Sequence, residues 1–388
     1  MNKLTSFDVL IVYTKSLAQS ASDSSIENST PFAIGSTSES YNLVYGYFLE
    51  TCNNLGLNAA LTTSADITGA GLCNSYWLYE NNTWSKHNNP CFSSLIFDKF
   101  SPTKKRIRDS RDLLFSSNNI KPFNCPELFS LFFDKQKTYD SLSEFSIPTV
   151  LLKEKTLDGT KLACSNLEKM MKESPFSKDY GSDFVLKDRY GAGGWRVYKV
   201  GCNDYLGILS KIKRRPGASY IIQPLVKFDR GFKFENASVP TDIRLIFLGG
   251  KVVQSYIRRA RPGDFRCNEH LGGSLTYLPV SKIPKKLIDT SKVISEKLDR
   301  SNSLYSLDFI ISNKGNIFLL EGNTGPGLDW NVSLKKNEAE AKKLIRLIVQ
   351  KLVALSGSGS DKVIGLKPSG HSGFWEEFRH YSTVPAVS

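Results

Sequence analysis

The chain lacks any apolar run near the roughly 18 residues that a membrane-crossing helix requires. Its N-terminus passes from Met-Asn-Lys directly into the strand-like segment 7–13, too short and too early for a secretory hydrophobic region, so a cytoplasmic protein is expected. Its seven cysteines are odd in number and never closer than 18 residues, which argues against a CxxC zinc site and against a small disulfide framework. His270 has no second His or Cys at ligand spacing, which makes it a hydrogen-bonding loop residue, and no internal repeat points to a solenoid. What is present is an ordinary globular balance: 388 residues, 40% hydrophobic and 23% charged, enough for two or three domains. The 51 Lys and Arg against 38 Asp and Glu leave +13, which raises nucleic acid, anionic lipid or an acidic small substrate as partners. Charge alone does not choose among them, and a diffuse lysine excess is also ordinary background.

Along the chain, a strand at 9–13 is followed by 14–40, rich in serine and expected to be a mobile loop. Apolar residues at 44, 45, 48, 49, 52 and 55 share one helical face over 41–55, ended by Gly56. Short strands at 58–62, 76–79 and 95–97 complete an N-terminal α/β domain, 1–126, with its loop at 14–40. Residues 127–145 read as a helix around Asp134-Lys135, and a second domain, 127–355, continues as alternating strands and helices. A strand at 220–223 stops at Pro224, two hairpins turn at Gly249-Gly250 and Lys314-Gly315, and a helix covers 337–355. The remainder, 356–388, has the composition of a flexible linker and tail.

The second hairpin carries the most chemistry. A two-residue turn at Lys314-Gly315 pairs residues whose numbers sum to 629, placing Asp308 opposite Glu321, with Asn323 on the same face. Facing carboxylates in an apolar hairpin need a compensating cation, and an all-oxygen set suits Mg²⁺. Lys187 ends an apolar strand before Gly191, Gly193 and Gly194, a loop whose N–H groups can wrap phosphates although it matches neither GxxxxGK[ST] nor GxGxxG. Asp242 and Arg244 share a strand face. Arg258, Arg259, Arg261 and Arg266 crowd a loop expected to need an anion, and its glycines favour a compact polyanion over a nucleic-acid strand.

These strings, taken in order, resemble an ATP-grasp ligase of the RimK-type and glutathione synthetase group. They are Phe-Asp134-Lys135, Ile-Pro-Thr149, Val-Leu-Lys187, Gly191-Ala-Gly-Gly194, Gln223-Pro-Leu-Val226, Thr-Asp242-Ile-Arg244, Arg258-Arg-Ala, Arg266-Cys-Asn268, Leu-Asp308 and Leu-Glu321-Gly-Asn323. The resemblance covers about half the chain, from Phe133 to Asn331. It implies an α+β ATP-grasp of two subdomains with antiparallel sheets, preceded by an α/β pre-ATP-grasp domain. It also implies ATP with Lys135 and Lys187 on its phosphates under Gly191, Gly193 and Gly194, Gln223 and Leu225 on adenine, and Mg²⁺ (two ions, or Mn²⁺) on Asp308, Glu321 and Asn323. Arg258, Arg244 and Asn268 take the catalytic positions. The activity implied is ligation of a carboxylate to an amine through an acylphosphate, on small-molecule or peptide substrates that the positive charge suggests are acidic. Neither a membrane nor nucleic acid is expected as partner, and a homo-oligomer is left open. A kinase of the same fold, a nucleotide-binding protein without turnover and a basic nucleic-acid binder are the competing readings. Four features depart from the pattern: Trp195-Arg196 after the glycine loop, Pro224, a long excursion over 227–240, and Gly322 where a hydrophobic residue is usual. In addition, a two-residue Gly249-Gly250 turn would pair Arg244 with Ser255 and put Arg259, not Arg258, on its face.

Overall fold

In the computed structural model, which describes residues 3–23, 29–102, 104–235, 238–298, 302–326, 328 and 335–357, the run Val9–Tyr13 is buried at every position. Continuous apolar strands of this kind are covered on both faces, and here Val9–Tyr13 lies between two parallel neighbours, Ala59–Thr63 and Leu95–Lys99. Tyr76–Glu80 and Thr83–His87 extend the sheet antiparallel beyond Ala59–Thr63. The helix Tyr41–Asn54 buries Val44, Tyr45, Phe48, Leu49 and Cys52, the face its periodicity predicts. Against it packs Lys335–Ser356, which buries Leu344, Ile345, Ile348, Val349 and Leu352.

The described residues of 1–121 and 327–388 therefore form one compact unit, and Pro122–Pro326 the other. The division differs from the expected stretch 127–355, because the apolar stripe of the long helix is covered by the first unit's own helix. The serine-rich stretch 14–40 is packed where it is described: Phe32 is fully buried against Tyr13 and Tyr45, and Ser20 donates to the buried carboxylate of Asp66 at 2.5 Å. The expected tail, from residue 358 onward, lies outside the described residues.

The second unit holds two antiparallel sheets. The first has the order Val150–Leu152, Tyr220–Val226, Tyr180–Asp188, Val197–Gly201 and is backed by helices Leu157–Glu173 and Tyr205–Lys213. The second runs Ser274–Tyr277, Lys251–Arg259, Thr241–Leu248, Leu304–Ile311, Ile317–Asn323. Leu287, Ile294 and Leu298 of helix Lys285–Leu298 cover one face, packing with Ile243, Leu245 and Phe247.

Several local expectations change. The helix expected at 127–145 is two, Pro126–Phe133 and Lys135–Leu142, because Asp134 takes an extended backbone and caps the second through Gln136 N and Lys137 N. The strand does not stop at Pro224 but runs Tyr220–Val226. Its neighbour Val150–Leu152 ends opposite Ile222, so one side of the strand is an edge by residue 224, where a missing N–H is tolerated. The second hairpin turns through three residues, 313–315, with Gly315 at φ 82°, and not through Lys314-Gly315 alone.

Candidate active site

Between the two sheets of the second unit opens a solvent-open cleft lined by residues of both. Ten of the residues expected at the site line it: Lys135, Lys187, Gly191, Gly194, Gln223, Leu225, Arg258, Asn268, Asp308 and Glu321. Gly193, Arg244 and Asn323 do not reach its wall. Arg244 sits behind Asp308, and Asn323 is one period along the strand from Glu321.

Asp308 does lie directly opposite Glu321, by a route the turn does not predict. The three-residue turn sets pairs that sum to 628, as in Phe309↔Leu319, and a bulge at Leu320 then adds one, giving Asp308↔Glu321. The bulge turns Leu320 as well as Glu321 toward the cleft. The first hairpin contains the complementary surprise. Gly249 and Gly250 form the two-residue turn at φ 61° and 76°, but Val253 bulges, so Arg244 pairs with Tyr256, not Ser255. Arg258 then stands opposite Asp242 and shares Arg244's face, whereas Arg259 points away to Glu235.

On this face two carboxylates and two guanidiniums form a closed, charge-neutral group. Arg244 holds Asp308 through two bonds of 2.5 Å, and Arg258 holds Asp242 at 2.8 and 2.9 Å and Asp308 at 2.8 Å. Burial alone would raise the Asp308 carboxyl, but Arg244 and Arg258 hold it down to about 2. Asp242, equally buried, is pushed up by burial, against the pull of Arg258. In the arginine-rich loop, expected to need an anion, each guanidinium already faces an acid, though Arg261 and Arg266 share one. Arg259 faces Glu235 at 3.4 Å, Arg261 faces Asp264 at 3.5 Å, and Arg266 pairs with Asp264 at 2.8 Å.

The unmatched cations lie elsewhere in the cleft. Lys135, at the first position of its helix, donates to Gly191 O. Lys187 has no hydrogen bond or ion pair among the described residues. Burial pushes its ammonium down to about 8, with Glu321 pulling the other way and Lys135 adding to the depression. An anion beside it would relieve that cost, as a phosphate does.

The cleft also has one acceptor with a forced orientation. Thr149 Oγ1 donates to Ile147 O at 2.8 Å, so it accepts from Gln223 Nε2 at 2.7 Å. Gln223 Oε1 is then left buried without a partner, an acceptor suited to an exocyclic amine. For a metal the fit is partial in the way Mg²⁺ tolerates. No three His, Cys, Asp or Glu side chains gather into a metal site among the described residues. Asp308, Glu321 and Asn323 share one sheet face, and Asn323 Nδ2 has no partner that would fix its amide. Mg²⁺ typically takes one or two carboxylates and completes its shell from substrate phosphates and water.

Gly322, which departs from the expected hydrophobic residue, is explained by packing. A Cβ there would stand 2.4 Å from the Phe132 ring, so helix Pro126–Phe133 supplies the missing bulk.

The RimK-like ATP-grasp domain model matches residues 145–348, more than half of the chain. The chain belongs to the RimK-like ATP-grasp family. A probable alpha-L-glutamate ligase of Legionella pneumophila (strain Corby) is 29% identical over 178 residues, 46% of this chain and 54% of that protein. The chain spans only about half the length of this relative, and 18% of another probable alpha-L-glutamate ligase, from Shewanella pealeana, to which it is 38% identical over 89 residues, 23% of this chain. Among solved structures, D-cycloserine synthetase DcsG superimposes with a TM-score of 0.53 at 13% identity, covering 90% of this chain and all of that one. The ATP-grasp ligase PsnB, complexed with a phosphomimetic variant of its minimal precursor, Mg and ADP, gives 0.52 at 12%, with 90% and 98% covered. At such identity these likenesses establish the ATP-grasp fold. No described helix is long and apolar enough to cross a membrane.

The sequence left two features of this ATP-grasp site unread. Tyr256, whose hydroxyl lies 3.2 Å from Arg244 Nη1, has no signal beyond a register that a bulge conceals. Arg189, which clasps Asp134 at 2.7 and 2.6 Å, was visible only as one more charge beside the glycine loop.

Proposed function

We propose that this chain is an ATP- and Mg²⁺-dependent ligase that joins a carboxylate to an amine. A single observation carries the reading: one cleft of an ATP-grasp fold holds both a half-buried lysine and a buried amide oxygen, neither with a hydrogen-bond partner among the described residues. The first suits phosphate and the second suits the adenine amine. Lys135 and Lys187 bind the phosphates beneath Gly191, Gly193 and Gly194, while Gln223 and the backbone at Leu225 bind adenine. Asp308, Glu321 and Asn323 would hold Mg²⁺, or Mn²⁺ in its place, and the ion would supply positive charge against the nucleotide phosphates.

In this reading a substrate carboxylate attacks the γ-phosphorus, ADP departs, and an amine displaces phosphate from the acylphosphate to give an amide. Arg258, already at the cleft wall, stabilises charge on the transferring phosphoryl group, and Arg244 fixes the carboxylate it clasps. Asn268 contacts the transferring group from the loop facing Gly194. The neutrality of the arginine group leaves Lys135 and Lys187 as the net charge that draws in the nucleotide. Small molecules or peptides with an acidic group are the substrates proposed, in keeping with the charge of +13.

The test is a screen of amino acids and peptides for Mg²⁺-dependent ADP release, with mass spectrometry of products. An amide product with ADP and phosphate supports the reading. AMP and pyrophosphate, or a phosphorylated hydroxyl with no dependence on an amine, would refute it.

A further inference from the structure

The glycine loop is fastened differently at its base and at its tip. At the base, Arg196 pairs with Asp188, Arg189 clasps Asp134 at 2.7 and 2.6 Å, and Tyr190 stacks on Phe133 with ring centres 5.1 Å apart. These contacts tie the loop to its own strand and to the start of helix Lys135–Leu142. At the tip the backbone curls tightly: Gly193, Gly194 and Arg196 all have positive φ, at 67°, 73° and 59°. The non-glycine member of such a curl costs energy that other contacts must offset.

The curl delivers two contacts to the short turn Glu269–Leu271, which follows the second sheet's first hairpin. Trp195 lies along His270, ring centres 5.9 Å apart and planes 19° from parallel, and His270 Nε2 bonds to Gly193 O. The approach is close. A Cβ on Gly194 would stand 2.4 Å from Asn268 Oδ1, and one on Gly193 would stand 3.0 Å from the His270 ring. Yet Trp195 is 63% exposed, so apolar burial does not account for its placement. A large aromatic at the surface, held by one ring and one backbone bond across the mouth of a cleft, adds little to folding and much to keeping two elements together.

We propose that Trp195 and His270 are positioning residues that clasp the tip of the glycine loop to the 269–271 turn, closing the phosphate end of the cleft and setting how long a nucleotide stays bound. The proposal rests on the nucleotide reading above. With the clasp made, loop N–H groups are held where phosphates lie, and the nucleotide leaves only when the ring pair parts. With it broken, the base contacts persist, so the loop keeps its place but its tip swings free.

Stopped-flow release of N-methylanthraniloyl-ADP, chased by excess ADP in Mg²⁺, reads the clasp directly. Trp195→Ala and His270→Ala should each speed release about three- to ten-fold, the range of one aromatic pair. The double variant should be no faster than the faster single one, since either change opens the same clasp. Trp195→Phe, which keeps a ring to stack, should stay within about two-fold of the unaltered chain. Melting midpoints should be unchanged, because both rings are at the surface. Release rates unaltered in both single variants, or multiplying in the double one, would overturn the clasp while leaving the nucleotide site in place. Failure of the unaltered chain to bind the probe would overturn the nucleotide reading and the clasp with it.

Discussion

Binding of ATP should drive a proton onto Lys187. Burial holds this lysine at about 8 in the free protein, against an ordinary 10.5. At pH 9 a group with that value is about nine-tenths neutral, whereas beside phosphate it returns to the charged form, so binding takes up about 0.9 proton at pH 9 and about 0.1 at pH 7. Affinity should correspondingly weaken about ten-fold per pH unit above 8. The sign for stability follows from the same depression. Between about 8 and 10.5 the unfolded chain binds more protons than the folded one, so this group's penalty is complete below 8 and is relieved as pH rises through that window. Lys187→Met should therefore stabilise the free protein, by about 1–3 kcal/mol at pH 7, while abolishing both the proton uptake and the pH dependence of ATP affinity. Calorimetric titrations with Mg-ATP at pH 9, in buffers of different ionisation enthalpy, measure the uptake. A binding enthalpy that does not vary with buffer would mean that Lys187 keeps its charge without phosphate, and would refute the reasoning.

Glu321→Gln should cut Mg²⁺-dependent ADP release about 100-fold or more with little change in melting, since this carboxylate is partly exposed and, among the described residues, has no partner closer than Arg244 at 4.0 Å. Asp308→Asn should also abolish turnover but lower stability by about 3–5 kcal/mol, because the buried Arg258 and the partly buried Arg244 lose a shared counter-charge; equal melting curves for the two variants would contradict the charge-neutral group. Thr149→Val frees the Gln223 amide and should weaken ATP about five-fold while leaving the affinity for inorganic triphosphate unchanged, as direct titrations would show. Gly322→Leu collides with Phe132 and should cost about 1–3 kcal/mol in denaturant unfolding, and Phe132→Ala added to it should recover part of that loss.

The family and most of the site were legible because the residues that bear charge or bend the backbone occur in a fixed order. Asp308 faces Glu321 as the sequence implies, Lys187 falls one residue short of the end of its strand, and helix Tyr41–Asn54 follows its apolar period. What was not legible is where one residue is inserted into a ladder. The Lys314-Gly315 turn and the bulge at Leu320 are errors of one residue in opposite directions that cancel at Asp308. The bulge at Val253 has no compensating error, so turn counting selects Arg259 where geometry selects Arg258. Bulges depend on packing across the sheet and leave no local mark in a run such as Val252-Val253-Gln254. The pairing of Arg259 with an acid was equally hidden, since Glu235 is 24 residues away in the sequence and meets it only in the fold.

Both hairpins that line the cleft thus place a bulge between the turn and the candidate site residues, and this separates two kinds of inheritance. The turn can be rebuilt, by any connection that closes the same strand ends, without moving Asp308, Glu321 or Arg258. Deleting the bulged residue, in contrast, reverses which side chains face the cleft on everything beyond it. Loss of Val253 alone would carry Arg258 to the far side of the sheet and bring Arg259 in its place, retaining a guanidinium while discarding the Asp242 clasp. Length changes in this lineage should therefore be tolerated at residues 249–250 and 313–315 and purged at 253 and 320, so that two unremarkable aliphatic positions are constrained by count and not by chemistry.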